Sequence, residues 1–105
     1  DAEYNLGVMY ERGVGVIQDY KEAVRWWWKS AEQGDSKAQN NLGTMYYDGK
    51  GVLQDYVMAH MYWNIAADSG HKNAIEDRGI VEVLMTLSQI AEAQKLAREW
   101  MRNHQ

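Results

Sequence analysis

The sequence predicts an all-α protein built as a stack of antiparallel helix hairpins, and three observations carry that prediction. Residues 2–37 and 38–73 are identical at 16 of 36 positions with no gap, and a fixed period of this length marks an array of supersecondary units packed on their neighbours. Within each half-unit apolar residues recur at helical spacing. A glycine pair separates the two halves of each unit, and the chain has no proline to interrupt a helix. About six helices are expected in one domain over 1–105: repeat 1 at 2–37, repeat 2 at 38–73, and a degenerate repeat with a capping helix at 74–105.

The first helix is expected over about 1–12, where Ala2, Leu6, Met9 and Tyr10 give i, i+4, i+7, i+8 spacing. Gly13 falls where a left-handed helix-ending residue is wanted, and Gly15 permits the reversal that follows. Asp19 is an N-cap candidate, and Glu22 three residues later completes a capping-box pattern. The second helix, about 20–33, carries Tyr20, Ala23, Trp27 and Ser30/Ala31 on one stripe and ends at Gly34. The second unit repeats this at about 37–48 and 56–69, with Met58 in place of the capping-box acid. After residue 73 the match fades: Ala74 and Gly79 keep their places, but Arg78 replaces a leucine and the double-glycine loop is lost. A degenerate first helix is expected at 72–84. Thr86 with Gln89 forms another capping box, opening a last helix at about 87–103 whose stripe is Ile90, Ala93, Ala97 and Trp100. Repeat arrays need an atypical end unit to shield the last apolar face, and this helix is assigned that role.

Composition narrows the functional classes. No apolar run approaches the roughly 18–20 residues of a membrane-spanning helix. The formal charge of −4 argues against a nucleic-acid partner, which requires a basic stripe to displace counterions. Zero Cys excludes disulfides and cysteine zinc sites but leaves the compartment open. Five Trp, seven Tyr and no Phe suit helices one layer thick, because these rings bury their faces while a polar atom still finds a partner.

The pattern Ala-x-x-Asn-Leu-Gly-x-Met-Tyr, Gly-x-Gly-Val-x-Gln-Asp-Tyr, Ala-x-x-aromatic-Trp-x-x-x-Ala-x-x-Gly resembles the Sel-one-like repeat (SLR) family of the tetratricopeptide-like solenoids. The resemblance covers 2–73 fully and 74–103 weakly. It implies α/α hairpins wound into a right-handed superhelix that assembles other proteins as an adaptor or scaffold. Two intact units and a remnant lie near the minimum for stable stacking, so further units are expected before Asp1. Some secreted, cysteine-rich relatives carry a penicillin-binding or β-lactamase label, which sets the rival reading: a periplasmic enzyme, or enzyme-associated binder, acting on β-lactams or peptidoglycan.

Each chemical motif is weaker than its structural reading. The Gly-x-Gly loops follow helices rather than strands and lack a third glycine, so they fail the dinucleotide-binding context. Ser69-Gly70-His71-Lys72 has the form Ser-x-x-Lys, but Ser-Asp-Asn and Lys-Thr-Gly are absent and Gly70 puts Ser69 and Lys72 across a turn. His60, His71 and His104 stand too far apart in sequence for a helical metal site. No catalytic residue, metal or cofactor is therefore expected.

Partner recognition is assigned to the first helices, which line the concave groove in the tetratricopeptide relatives. Its candidate residues are Asn5, Val8, Asn41, Thr44, Tyr47 and Asp77. Asn5 and Asn41 suit a peptide backbone or carboxylate and equally a bond within the scaffold. Tyr47 is the leading candidate, because unit 1 has Glu11 there and no core stripe demands an aromatic. Tyr47, Asp48, Glu76 and Asp77 make the groove acidic and favour a neutral to basic partner protein or peptide. Trp28 is the convex alternative. Its counterpart is Asn64, so it either packs on a unit preceding Asp1 or serves partner contact or self-association.

Trp27 and Trp63 are read as equivalent core residues. Trp63→Ala is expected to cost about 3–5 kcal/mol in a denaturant titration; a loss below about 1 kcal/mol would show that the stripe is misassigned.

Overall fold

The computed structural model describes residues 1–104; Gln105, the expected end of the domain, lies outside them. Among the described residues are six α-helices and no strand: α1 (Ala2–Arg12), α2 (Tyr20–Glu32), α3 (Ser36–Asp48), α4 (Tyr56–Asp68), α5 (Lys72–Glu82) and α6 (Leu87–Asn103). α1 pairs with α2 and α3 with α4; α3 also packs on α2, and α5 on α4. The result is an α/α solenoid of stacked hairpins.

Each hairpin is locked by one tryptophan lying on one glycine. Trp27 of α2 and Trp63 of α4 are 1% and 3% exposed. Their indoles occupy the space beside Gly7 and Gly43, where a Cβ would come within 2.3 and 2.4 Å of the ring. Each indole N–H donates to a carbonyl three residues before its glycine, that of Tyr4 or Asn40, at 3.1 Å. A glycine in a helix interior is unfavourable by about 1 kcal/mol relative to alanine. Here its missing side chain is what lets the two helices close.

The loop inside each hairpin is the same object twice. Gly13 and Gly49 both have φ 71° and ψ 37°, ending α1 and α3 with their N–H groups on the carbonyls of Met9 and Met45. Gln18 and Gln54 reach back with Nε2 to the carbonyls of Glu11 and Tyr47, at 2.7 and 2.9 Å. The second glycine of each loop also has positive φ, 76° at Gly15 and 75° at Gly51. Gly51 is constrained further, since a Cβ there would lie 2.5 Å from the Tyr20 carbonyl at the start of α2.

Three local expectations are corrected. Asp19 caps α2 through Lys21 and Glu22 N–H, but the capping box does not close: the Asp19 N–H is already donated to Tyr10, and Glu22 turns to Arg25 at 3.3 Å. The box at Thr86 and Gln89 does close. Ala2 is exposed, whereas its counterparts Ala38 and Ala74 are fully buried where α3 and α5 meet the preceding helix. The third correction is larger. α6 packs on α4 and makes almost no contact with α5. Its Leu96, Ala97, Trp100 and Met101 join the main core, and His104 stacks on Trp100 while pairing with Glu32 of α2. The helix expected to shield the last apolar face therefore closes the second-helix layer and leaves the outer side of α5 open.

Two outcomes test this account. Gly→Ala in a helix interior ordinarily stabilises, yet Gly43→Ala is expected to destabilise by about 1–2 kcal/mol in urea, because the new methyl overpacks the Trp63 ring. A stabilised variant would remove the proposed reason for the glycine. The second concerns pH. The hydrogen bond to Glu32, then that to the Trp100 carbonyl, raise the His104 pKa above 6.5 against a small opposing effect of burial. A raised histidine pKa gives stability that is complete below the unfolded value and is lost as pH rises through the folded one. Melting temperature is therefore expected to fall modestly as pH climbs past 6.5, and His104→Gln to flatten that slope.

Candidate functional site

The first helices α3 and α5 stand side by side, and a cleft of about 330 Å³ opens between them over Trp63 of α4. Its lining is Thr44, Tyr47, Asp48, Trp63, Asp77 and Ile80. The sides come from α3 and α5 because Thr44, Tyr47 and Asp48 follow one another at helical spacing, as do Asp77 and Ile80. Aromatic surface forms one wall: the Tyr47 ring lies 5.7 Å from Trp63 and 5.5 Å from Tyr56. The Thr44 hydroxyl donates to the Asn40 carbonyl at 3.3 Å, the same carbonyl that takes the Trp63 N–H. Asp48 and Asp77 supply the charge. Burial, then the neighbouring Glu76, push the Asp77 pKa above its ordinary value, with His71 opposing them. A carboxylate so placed gains from a nearby cation.

Thr44, Tyr47 and Asp77 are thus brought together. Asn41 is half-buried on α3 and is not part of the cleft lining. Asn5 and Val8 lie on α1, also outside it; Asn5 is exposed, whereas Val8 packs against the main core. Asn5, Asn41 and Asp77 nevertheless occupy one repeat position, 36 residues apart. Tyr47 is not free of packing demands as its sequence position suggested. It belongs to the apolar cluster of Ala59, Trp63, Ala66, Ala74 and Val81, because it is the residue that covers the exposed edge of the Trp63 indole. Trp63 and Ile80 were not among the expected binding residues. Ile80 could have been found by adding the period to Thr44, whereas Trp63 reads from sequence as pure core.

Trp28 is 50% exposed and reaches the Tyr62 phenol of α4. It therefore leans toward Tyr62 of the second unit. Tyr62 is itself 4% exposed and stacks on Tyr46 at 5.9 Å; burial dominates in raising its pKa. Trp26 is half-buried, with the Lys29 ammonium 4.6 Å from its ring.

His60, His71, Ser69 and Lys72 hold positions set by the fold. His60 is fully buried and meets Glu82 at 2.7 Å, tying α4 to α5. His71 caps α5 through the Ala74 N–H. Ser69 closes α4 and Lys72 opens α5, on opposite sides of Gly70 with φ 83°. Among the described residues no three potential metal ligands cluster, and no helix is long and apolar enough to cross a membrane.

Comparison with known proteins accounts for this architecture. The Sel1 repeat family profile matches residues 1–35 and 36–71. The crystal structure of c5321, a protective antigen of uropathogenic Escherichia coli strains with an SLR fold, superposes with a TM-score of 0.93 at 36% identity, over 98% of this chain. A Sel1 repeat protein from Oxalobacter formigenes gives 0.77 at 31% identity, over 94%. The chain spans 22% and 43% of those two proteins. Curated protein sequences give no match.

Proposed function

The chain belongs to the Sel1 repeat family, and from that premise we propose that it is a non-catalytic adaptor module binding a neutral to basic protein segment in its concave groove. Sel1 repeats typically serve as protein-interaction modules. The observation that carries the finer reading is the cleft between α3 and α5, where an aromatic wall stands beside Asp48 and Asp77. A lysine or arginine side chain suits it, laying its methylenes on Tyr47 and Ile80 and its charge between the carboxylates. Asn41, one turn before Thr44 on α3 and outside the cleft lining, would extend the contact along the groove, and Asn5 and Val8 would continue it on α1. The rival enzymatic reading rests on Ser69 and Lys72, and no observation brings them to one site.

Labelled 12-residue peptides of basic, neutral and acidic composition, titrated by fluorescence anisotropy, test the groove. Basic peptides are expected to bind at least about tenfold more tightly than acidic ones, with affinity falling as salt rises. Asp77→Asn is expected to weaken that binding by about 1–2 kcal/mol while leaving the fold intact. It should even gain stability near neutral pH, since a raised carboxylate pKa marks a charge the folded state disfavours as pH rises above 3.8. Tyr47→Ala is less clean, because it also uncovers Trp63. Binding lost with Trp28→Ala and kept with Asp77→Asn would move the interface to the convex side and sink the groove assignment.

A further inference from the structure

α5 repeats the tryptophan seat of α1 and α3, and no described residue sits in it. Positions 7, 43 and 79 are one repeat position, glycine each time. At Gly7 and Gly43 an indole fills the space a Cβ would take; at Gly79, among the described residues, no side chain or other helix lies within 4 Å of that point. The acceptor carbonyls of Tyr4 and Asn40 have their counterpart in Glu76, 36 residues after Asn40. The seat stands open because α6 packs on α4 instead of α5, and the residue 36 positions after Trp63 is Glu99. Beside the open seat, Ile75 and Val83 lie one turn either way from Gly79, 44% and 85% exposed. Their counterparts one period earlier are Gln39, buried against the Ala31 carbonyl of α2, and Tyr47, which lies against Trp63.

We propose that this face of α5 is a docking site for a tryptophan-bearing amphipathic helix of a partner protein, its indole seated on Gly79 and its N–H donated to the Glu76 carbonyl. The chain itself specifies the occupant. Both filled seats accept the stripe Ala-x-x-x-Trp-x-x-x-Ala, written as Ala23, Trp27, Ala31 and as Ala59, Trp63, Ala67. The small residues on either side let the helix backbone come close enough for the ring to reach the glycine. Glu76, exposed on α5, borders the open stripe by helical spacing, so a basic residue on the partner helix complements it. The mode is helix-in-groove recognition, on a different side of α5 from the cleft that Asp77 and Ile80 line, so it stands or falls independently of the groove.

The probe is a fluorescein-labelled synthetic peptide of residues 19–33 with Trp26→Ala and Trp28→Ala, leaving Trp27 as its one tryptophan. Saturable binding to the 105-residue chain is expected, weakened at least about tenfold by Trp27→Ala in the peptide and by Gly79→Leu in the chain. Gly79→Leu adds a side chain in open space on an exposed helix, so its melting temperature is expected to hold or rise, which separates lost binding from lost folding. Asp77→Asn is expected to leave this binding unchanged. No saturation by about 1 mM peptide, a level at which specific docking would be visible, would overturn the proposal. So would binding indifferent to Gly79→Leu, or binding abolished by Asp77→Asn alone, which would place the peptide in the groove. A dimer of the chain that Gly79→Leu dissolves would overturn it too, by assigning the seat to a second copy.

Discussion

A flat indole resting on a bare stretch of helix backbone is the contact on which each hairpin depends. It joins a large apolar burial to a hydrogen bond that satisfies the only polar atom of the ring, and it fixes both the separation and the register of the two helices. Trp27 on Gly7 and Trp63 on Gly43 place the indole N–H on the same relative carbonyl at the same 3.1 Å. Much of the repeat follows from holding that geometry. The loop must reverse the chain so that the tryptophan returns opposite the glycine, and the left-handed glycines, the loop glutamine and the aspartate cap bring this about with backbone hydrogen bonds. One physical requirement thus explains residues that are scattered over the unit.

Stacking between units rests on other contacts. Ser30 lies buried between Asp1 and Asp35, 2.8 and 3.2 Å from their carboxylates, and Gln39 donates to the Ala31 carbonyl at 3.2 Å. Gly51 lets the second loop approach the Tyr20 carbonyl, and Lys50 lies over the Tyr20 ring. These polar contacts between apolar stripes fix the rotation of one hairpin on the next, because each buried donor needs its own acceptor. The first helices are thereby set in a row, and side chains from α3 and α5 that are distant in sequence come to border one cleft.

The departure of α6 from the hairpin pattern shapes the rest of the surface. By packing on α4 and reaching Glu32 of α2 it covers the second helices and ties α6 back to α2. The same move uncovers α5. The molecule therefore has two unlike surfaces on one helix: an acidic, aromatic cleft between α3 and α5, and a face around Gly79 with exposed Ile75 and Val83 beside it.

Much of the fold was legible in the sequence because the unit is written twice, and every helix was anticipated to within a few residues. Half of the expected groove residues also meet at one cleft, since Thr44, Tyr47 and Asp77 project from neighbouring first helices. Periodicity reads such features because they depend on local backbone chemistry: a glycine for positive φ, an aspartate for a cap, an apolar stripe at 3.6 residues per turn. It could not say that Glu22 would leave its box, since the amide it needed was donated across the hairpin to Tyr10. It could not place Tyr47 against Trp63, turn Trp28 toward Tyr62, or send α6 past α5. By itself the sequence determined the repeat, the helices, the loops and the paired tryptophans. Only the tertiary structure decided which helix the last one packs on, and so which glycine was left without its tryptophan, because that choice depends on surfaces assembled from residues far apart along the chain.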